Sequence, residues 1–288
     1  MIEVIVPGPY ATVQDLGRPG YGHLGVPRSG AADAPSLRLA NRLVGNPEGA
    51  AGVELTFGGA RLRFTAGAWA VVTGAACGLE LAGTGGRGTA APAMCAPFWV
   101  PVGGELRVGT PSSGLRTYVA VRGGIDTPVT MGSRSTDSLS GLGPAPLRPG
   151  ATLPVGPTGA LPPITVDAAP QPTPVSDVLH VLPGPRDDWF VPDALAVLCA
   201  GPYEVSPNSN RVGVRLRGAG LERARGGELP SEGMVAGAVQ VPPGGQPIVF
   251  LADHPPTGGY PVIAVLTAAS LAGAAQLRPG DRVRFRRD

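Results

Sequence analysis

Apolar and polar residues follow one another in short runs along this chain of 288 residues, and Gly or Pro closes almost every run. Runs this short, rich in Val and bounded by turn residues, predict β-strands. They fall at 2–6, 62–64, 69–72, 106–108, 117–121, 178–182, 212–216, 247–251 and 262–266. The final run, Arg282-Val283-Arg284-Phe285-Arg286, alternates strictly. A strand there turns its arginines to one solvated face and Val283 and Phe285 inward. Helix signals are few. Asp33 can cap a helix with Pro35 in its first turn, Leu37, Ala40, Leu43 and Val44 along one face, and Gly45 placed to end it. Weaker helical patterns occur at 192–199 and 267–276.

The fold class expected is all-β, built from barrels or sandwiches with a few short helices. The Pro-rich stretch 154–174, with a strand-like Ile164-Thr165-Val166 inside it, reads as a linker. It suggests an N-terminal domain at 1–158, a linker at 159–174 and a C-terminal domain at 175–288.

Composition first complicates this picture. With 45 Gly and 34 Pro, more than a quarter of the chain is turn-forming, a share typical of disorder. Leu, Ile, Val and Phe nevertheless supply nearly a quarter of the residues, enough to build a core. All 23 basic residues are Arg, and the net charge is +2. The absence of Lys excludes a Schiff-base lysine, a P-loop lysine, and any covalently carried biotin or lipoate. The arginines are dispersed and few aromatics lie among them, so a nucleic-acid partner is not expected. No apolar run approaches membrane-spanning length and the N-terminal residues do not read as a signal peptide, so no membrane partner and a cytoplasmic location are expected. Cys77, Cys95 and Cys199 read as reduced thiols. His23, His180 and His254 are isolated, so no metal site is expected.

The run Gly83-Thr84-Gly85-Gly86-Arg87-Gly88 matches a dinucleotide fingerprint in letters alone; no helix signal follows it, and it reads as a hairpin turn. Asp253 and His254 adjoin, but neighbours in an extended segment point to opposite faces, which argues against an autonomous Ser-His-Asp hydrolase. Three polar segments carry more charge and hydroxyl than packing needs: 12–33, with Gln14, Asp15 and Arg18; 132–137, with Ser133, Arg134 and Ser135; and 253–261, with Asp253, His254, Thr257, Gly258, Gly259 and Tyr260. Such loops can offer amides, hydroxyls and guanidinium forks to a carboxylate or a carbonyl oxygen. For any one of them, a structural turn is an equal reading.

Taken in order, these segments resemble those of the biotin-dependent carboxyltransferase family, which includes the C subunit of bacterial 5-oxoprolinase and half of the carboxyltransferase domain of urea carboxylase. The resemblance extends through 40–46, 54–56, 209–216, 231–233, 240–242, 276–281 and the Thr257-Gly258-Gly259-Tyr260-Pro261 signature. Asn210 departs from the Asp usual there and Pro256 from the usual Thr. The resemblance implies two cyclophilin-like β-barrel domains. It implies a smaller partner, the B subunit, in a B2C2 complex with an active cleft shared between the two chains, and in addition an A subunit. The activity implied is ATP-dependent opening of 5-oxoproline to glutamate. The alternatives it leaves are carboxyl transfer from carboxybiotin to urea or another small amide, and non-enzymatic regulation of a kinase-inhibitor protein. No cofactor is expected to be covalently bound; ATP would act in the complex, and biotin would arrive only on a partner. In this reading Arg134, Arg211, Asp253 and His254 are catalytic. Gln14, Asp15, Arg18, Ser133, Ser135, Thr257, Gly258, Gly259 and Tyr260 bind substrate.

Overall fold

The computed structural model describes every residue except 84–88, 172–175 and 228. All of the glycine run at 83–88 except Gly83, and the end of the expected linker, therefore lie outside the described residues. The fold is mostly β, as the short-run pattern requires, with three short α-helices among the described residues. No helix among the described residues is long and apolar enough to cross a membrane.

The chain forms two compact units. The first comprises residues 1–18, 33–136 and 141–174, and the second comprises 19–32, 137–140 and 175–288. The start expected at 175 coincides with the main segment of the second unit, whereas the end expected at 158 does not, since the first unit runs on to 174. Two loops from the N-terminal half belong to the second unit, and the Pro-rich stretch belongs to the first. The reason is local bonding: the Arg122 guanidinium donates to the carbonyls of Leu161 and Pro162, and the Ala169 amide donates to the Cys95 carbonyl. The strand read at 164–166 does not form.

In the first unit the strands are β1 (Ile2–Val6), β2 (Tyr10–Gln14), β3 (Gly52–Thr56), β4 (Ala60–Phe64), β5 (Ala68–Gly74), β6 (Leu79–Ala82), β7 (Thr89–Ala90), β8 (Phe98–Val100), β9 (Glu105–Val108), β10 (Arg116–Val121) and β11 (Thr152–Leu153). They pair as a six-stranded sheet, β11-β1-β4-β9-β6-β7, and a five-stranded sheet, β2-β3-β10-β5-β8. One hydrophobic core joins both sheets, with Val4, Leu62, Phe64 and Leu106 from the first and Val13, Leu55, Val72 and Val119 from the second, all essentially unexposed. Helix α1 (Ala34–Leu43) starts as its sequence predicts: Asp33 accepts from the Ser36 amide at 3.1 Å and Ser36 Oγ at 2.7 Å. Its start is tied to β10, because the Asp33 amide donates to the Tyr118 hydroxyl, which itself donates to Glu54. Burial pushes the Tyr118 phenol well above its ordinary pKa, with the Glu54 and Asp33 carboxylates adding to it, so it stays a donor.

In the second unit β12 (Val178–Pro183), β13 (Tyr203–Val205), β14 (Gly213–Arg217), β16 (Ala238–Gln240), β17 (Ile248–Phe250), β19 (Val262–Leu266) and β20 (Arg282–Arg287) form a closed barrel in the order β12-β19-β16-β17-β14-β13-β20. Closure leaves no free barrel edge. Val283 and Phe285 point inward, and Phe285 packs edge-on to Tyr203 with centroids 5.8 Å apart. Helix α2 (Ala194–Ala200) overlaps the pattern at 192–199 and runs one residue past it, and α3 (Ala268–Ala274) forms within 267–276 with Thr267 as its cap. A ribbon of β15 (Glu232–Gly233) and β18 (Thr257–Gly258) stands apart from the barrel.

Candidate functional site

The residues singled out from sequence collect into two clusters, one in each unit, and each is built around a buried carboxylate. In the first unit the turn after β2 places Asp15 against 133–135. Asp15 Oδ1 accepts from Ser133 Oγ at 2.6 Å, Ser135 Oγ at 2.5 Å and the Gly17 amide at 2.7 Å. Its Oδ2 accepts from the Arg134 amide at 2.6 Å, and its own amide donates to Ser135 Oγ at 2.9 Å. Gln14 donates through Nε2 to Thr12 Oγ1 and the Thr136 carbonyl. Arg18, with 1% exposure, donates to the Ser135 and Thr130 carbonyls. Gly143 closes over this knot at φ +80°, where a Cβ would lie 2.1 Å from the Ser135 carbonyl oxygen.

These bonds change the roles read from sequence. Ser133 and Ser135 spend their hydroxyl donors on Asp15, not on a substrate oxyanion. Arg134 turns its guanidinium to Asp126, at 2.5 Å. The cluster orders a loop around a carboxylate, and Gln14, Asp15 and Arg18 are its interior.

In the second unit Asp253 is fully buried, and Arg211 has 3% side-chain exposure. The guanidinium donates from Nε to Oδ2 at 2.9 Å and from Nη2 to Oδ1 at 3.0 Å, and Nη2 also reaches the Gly30 carbonyl at 2.6 Å. Ser29 Oγ donates to Oδ1 at 2.6 Å; Ser138 donates to Oδ2 from Oγ at 2.6 Å and from its amide at 3.0 Å. Ser29 sits at φ +55°, a left-handed backbone that a serine adopts only when its surroundings hold it there. Asp137 presents Ser138 by accepting from the Leu139 and Ser140 amides. Burial pushes the Asp253 carboxyl upward; the Arg211 charge and hydrogen bonds, with those of Ser138 and Ser29, more than reverse this and hold it below the usual carboxylate range. A carboxylate so saturated is a poor proton carrier. Asp253 and Arg211, read from sequence as catalytic, are placed here as an internal pair that holds the Gly30 carbonyl.

His254 differs. Its Nδ1 lies 2.8 Å from the Pro255 carbonyl, so the proton is assigned to Nδ1 and Nε2 is left as the acceptor. Asp253 does not orient it, as the extended-segment argument required. The following Thr257-Gly258-Gly259-Tyr260 loop is held along its whole length. It pairs with β15 through Glu232↔Gly258 and Gly233↔Thr257, and the Met234 amide donates to the Pro256 carbonyl. The Leu229 amide donates to the Gly259 carbonyl, and Gln240 Nε2 donates to the Tyr260 carbonyl at 3.0 Å. The Arg223 guanidinium lies 5.6 Å from the centre of the Tyr260 ring, and Arg186 pairs with Glu232 of the ribbon. A Cβ on Gly258 would lie 2.7 Å from Gln240 Nε2, so any other residue there would push the Gln240 amide aside. The groups this leaves for chemistry are Nε2 of His254 and the hydroxyls of Thr257 and Tyr260.

Sequence reading missed Ser29, Ser138, Gln240, Arg223 and the Arg186–Glu232 pair. Ser29 lies within the polar 12–33 segment and Ser138 just after 132–137, but they are 224 and 115 positions from Asp253, and sequence does not show that they bond to it.

Comparison with known proteins agrees with these motifs. The family model described as carboxyltransferase domain, subdomain A and B, matches residues 24–287. The chain is 37% identical, over 99% of its length, to the C subunit of 5-oxoprolinase from Escherichia coli strain K12 and spans 90% of that protein. It is 35% identical to the urea amidolyase of Lachancea kluyveri, of which it spans 17%. Among solved structures it covers 99% of its own length against TTHA0988, with a TM-score of 0.87 and 38% identity, and spans 55% of that chain. Against the K. lactis urea amidolyase the TM-score is 0.90 at 33% identity, over 18% of the larger chain. The chain thus spans about half or less of these solved relatives. With the model matched almost end to end and a relative of similar length 37% identical, the chain belongs to the family of carboxyltransferase domains with subdomains A and B.

Proposed function

We propose that this chain is the C subunit of an ATP-dependent 5-oxoprolinase and works with the A and B subunits to open 5-oxoproline to glutamate. One observation carries the reading: the chain matches a 5-oxoprolinase C subunit over 99% of its own length and 90% of that protein's, whereas it is a small fraction of the urea amidolyases. In this reaction water adds its oxygen to the lactam carbonyl carbon, the ring C–N bond breaks and the nitrogen leaves with a proton. A lactam resists this because its resonance must be lost, so developing charge needs fixed donors and the nitrogen needs a proton source. Nε2 of His254 is the proton carrier, and the Thr257 hydroxyl and loop amides supply donors. The Arg211–Asp253 pair holds the segment that leads into them.

The residues here do not fit a nucleoside triphosphate. Arg211 is neutralised by Asp253 and Arg134 by Asp126, so neither of the two arginines read as catalytic is offered to the ATP phosphates. No turnover is expected from the chain alone. It would act in the cytoplasm, in a complex with two copies each of the B and C chains.

A second reading, carboxyl transfer to urea or a small amide, is favoured by the TM-score of 0.90 to a urea amidolyase. The chain has no lysine, so biotin would have to arrive on a partner's carrier domain. Reconstitution separates the two. The chain purified with its A and B partners is given 5-oxoproline and ATP and assayed for glutamate; in parallel it is given a biotinylated carrier, its carboxylase, bicarbonate, ATP and urea and assayed for carboxylated urea. Glutamate in the first mixture supports the main reading. Its absence, with carboxylated urea in the second, moves the assignment to carboxyl transfer.

A further inference from the structure

The outer wall of the second-unit barrel concentrates charge in a way the core does not require. Arg282, Arg284 and Arg286 on β20 and Arg215 and Arg217 on β14 all point outward and are exposed. Between them runs β13, whose single outward residue, Glu204, lies opposite Arg217 on one side and Arg282 on the other. Many surface arginines elsewhere have carboxylate partners: Arg38 and Arg42 share Glu48, Arg61, Arg63 and Arg107 converge on Glu105, and Arg225 meets Asp188. Among the described residues, none of the five on this wall has an ion-pair partner. Since the whole chain carries only +2, the wall holds much of its unbalanced positive charge. Like charges this close repel, a cost that a solvated face of mixed sign would avoid.

We propose that this wall is a docking surface for an acidic face of another protein. Two features of its pattern select that partner. Arginines alternating along β20 recur at about 6.6–6.8 Å, close to the roughly 6 Å that separates residues i and i+4 on a helix, so a row of glutamates at that spacing meets successive guanidinium groups. The row Arg217-Glu204-Arg282 is mixed in sign. A protein can set a lysine or a backbone amide against Glu204, whereas a nucleic-acid backbone offers only negative charge there. No aromatic side chain stands outward among these arginines to stack a base. The proposal does not depend on which reaction the family site performs.

The test uses the full chain and a triple variant, Arg217→Gln, Arg284→Gln and Arg286→Gln, whose melting should match the parent because all three side chains are exposed. Fluorescence anisotropy measures binding of a labelled helical peptide with glutamates at i, i+4 spacing and one central lysine, and of an oligouridylate of equal charge. The expected result is salt-sensitive binding of the peptide by the parent, tighter than that of the oligouridylate, and about tenfold weaker binding by the variant, the size that three exposed ion pairs can supply. Equal binding by parent and variant, no binding by the parent, or tighter binding of the oligouridylate would overturn the proposal.

Discussion

Removing the Arg211 guanidinium should cost this fold more than any surface change of similar size. In Arg211→Ala the Asp253 carboxylate, fully buried, loses its counter-charge and two of its hydrogen bonds, while the Gly30 carbonyl loses a donor. Breaking a buried ion pair by deleting one partner costs about 3–5 kcal/mol, and an orphaned polar group adds to that. In a chain of this size 1 kcal/mol moves the melting temperature by about 2–4 °C, so a drop of roughly 6–20 °C is expected at neutral pH. The double variant Arg211→Met, Asp253→Leu removes both charges and should recover much of the loss. It should not recover all of it, because the Ser29 and Ser138 hydroxyls then have no acceptor, a cost of about 1–3 kcal/mol. Urea unfolding of the parent, Arg211→Met, Asp253→Leu and the double variant gives the coupling energy directly. If Arg211→Ala lies within about 1 kcal/mol of the parent, or the cycle is additive, the pair does not hold the fold in this way.

Three further outcomes follow from the same geometry. His254→Gln in the reconstituted complex should keep the parent's melting temperature and KM while kcat falls by about 10²–10⁴, the usual yield of a positioned proton carrier; unchanged kcat would remove His254 from the chemistry. Gly258→Ala forces the Gln240 amide off the Tyr260 carbonyl, so stability should fall by about 1 kcal/mol and KM should rise, which unfolding and steady-state kinetics would check together. Because the Asp253 carboxyl is depressed in the fold, its contribution is present above its ordinary pKa of 3.8 and is lost as pH falls through its folded value. The parent's advantage over the double variant should therefore stay flat near neutrality and shrink only below pH 3.8; an advantage lost near pH 6 would contradict it.

Local signals were readable wherever one element satisfies itself. Helix α1 was fully marked, because its cap Asp33, Pro35 and the closing Gly45 lie within one segment and bond within it. The strand β20 was equally clear, since alternation alone decides which side faces the core. The Pro-rich 154–174 stretch misled because proline reports backbone stiffness and says nothing of what a distant Arg122 will bond. The loops rich in charge and hydroxyl were recognisable as special, but their roles were not. Asp15 reads as a ligand-binding carboxylate until Ser133 and Ser135, well over a hundred residues away, are seen to fill it. Asp253 reads as a proton carrier until Arg211, Ser29 and Ser138 surround it. Long-range satisfaction of buried polar groups is a tertiary property, and it turned most of the candidate chemistry into framework.

The same framework argues that arginine is required at position 211 for its shape as well as its charge. From Nε and Nη2 the guanidinium reaches three oxygens held in fixed directions, both carboxylate oxygens of Asp253 and the carbonyl of Gly30. A lysine keeps the positive charge but offers one nitrogen on a flexible stem, so it cannot serve the two edges of the carboxylate and the carbonyl together. Arg211→Lys should therefore lose at least one of those three hydrogen bonds, at a cost of about 1–3 kcal/mol, while preserving the electrostatic depression of Asp253. That separates it from Arg211→Ala in both size and pH behaviour. Its stability should lie between parent and alanine variant, and its acid transition should stay near the parent's. If lysine restores full stability, the fork geometry is irrelevant and charge alone holds the 19–32 and 137–140 loops in the second unit.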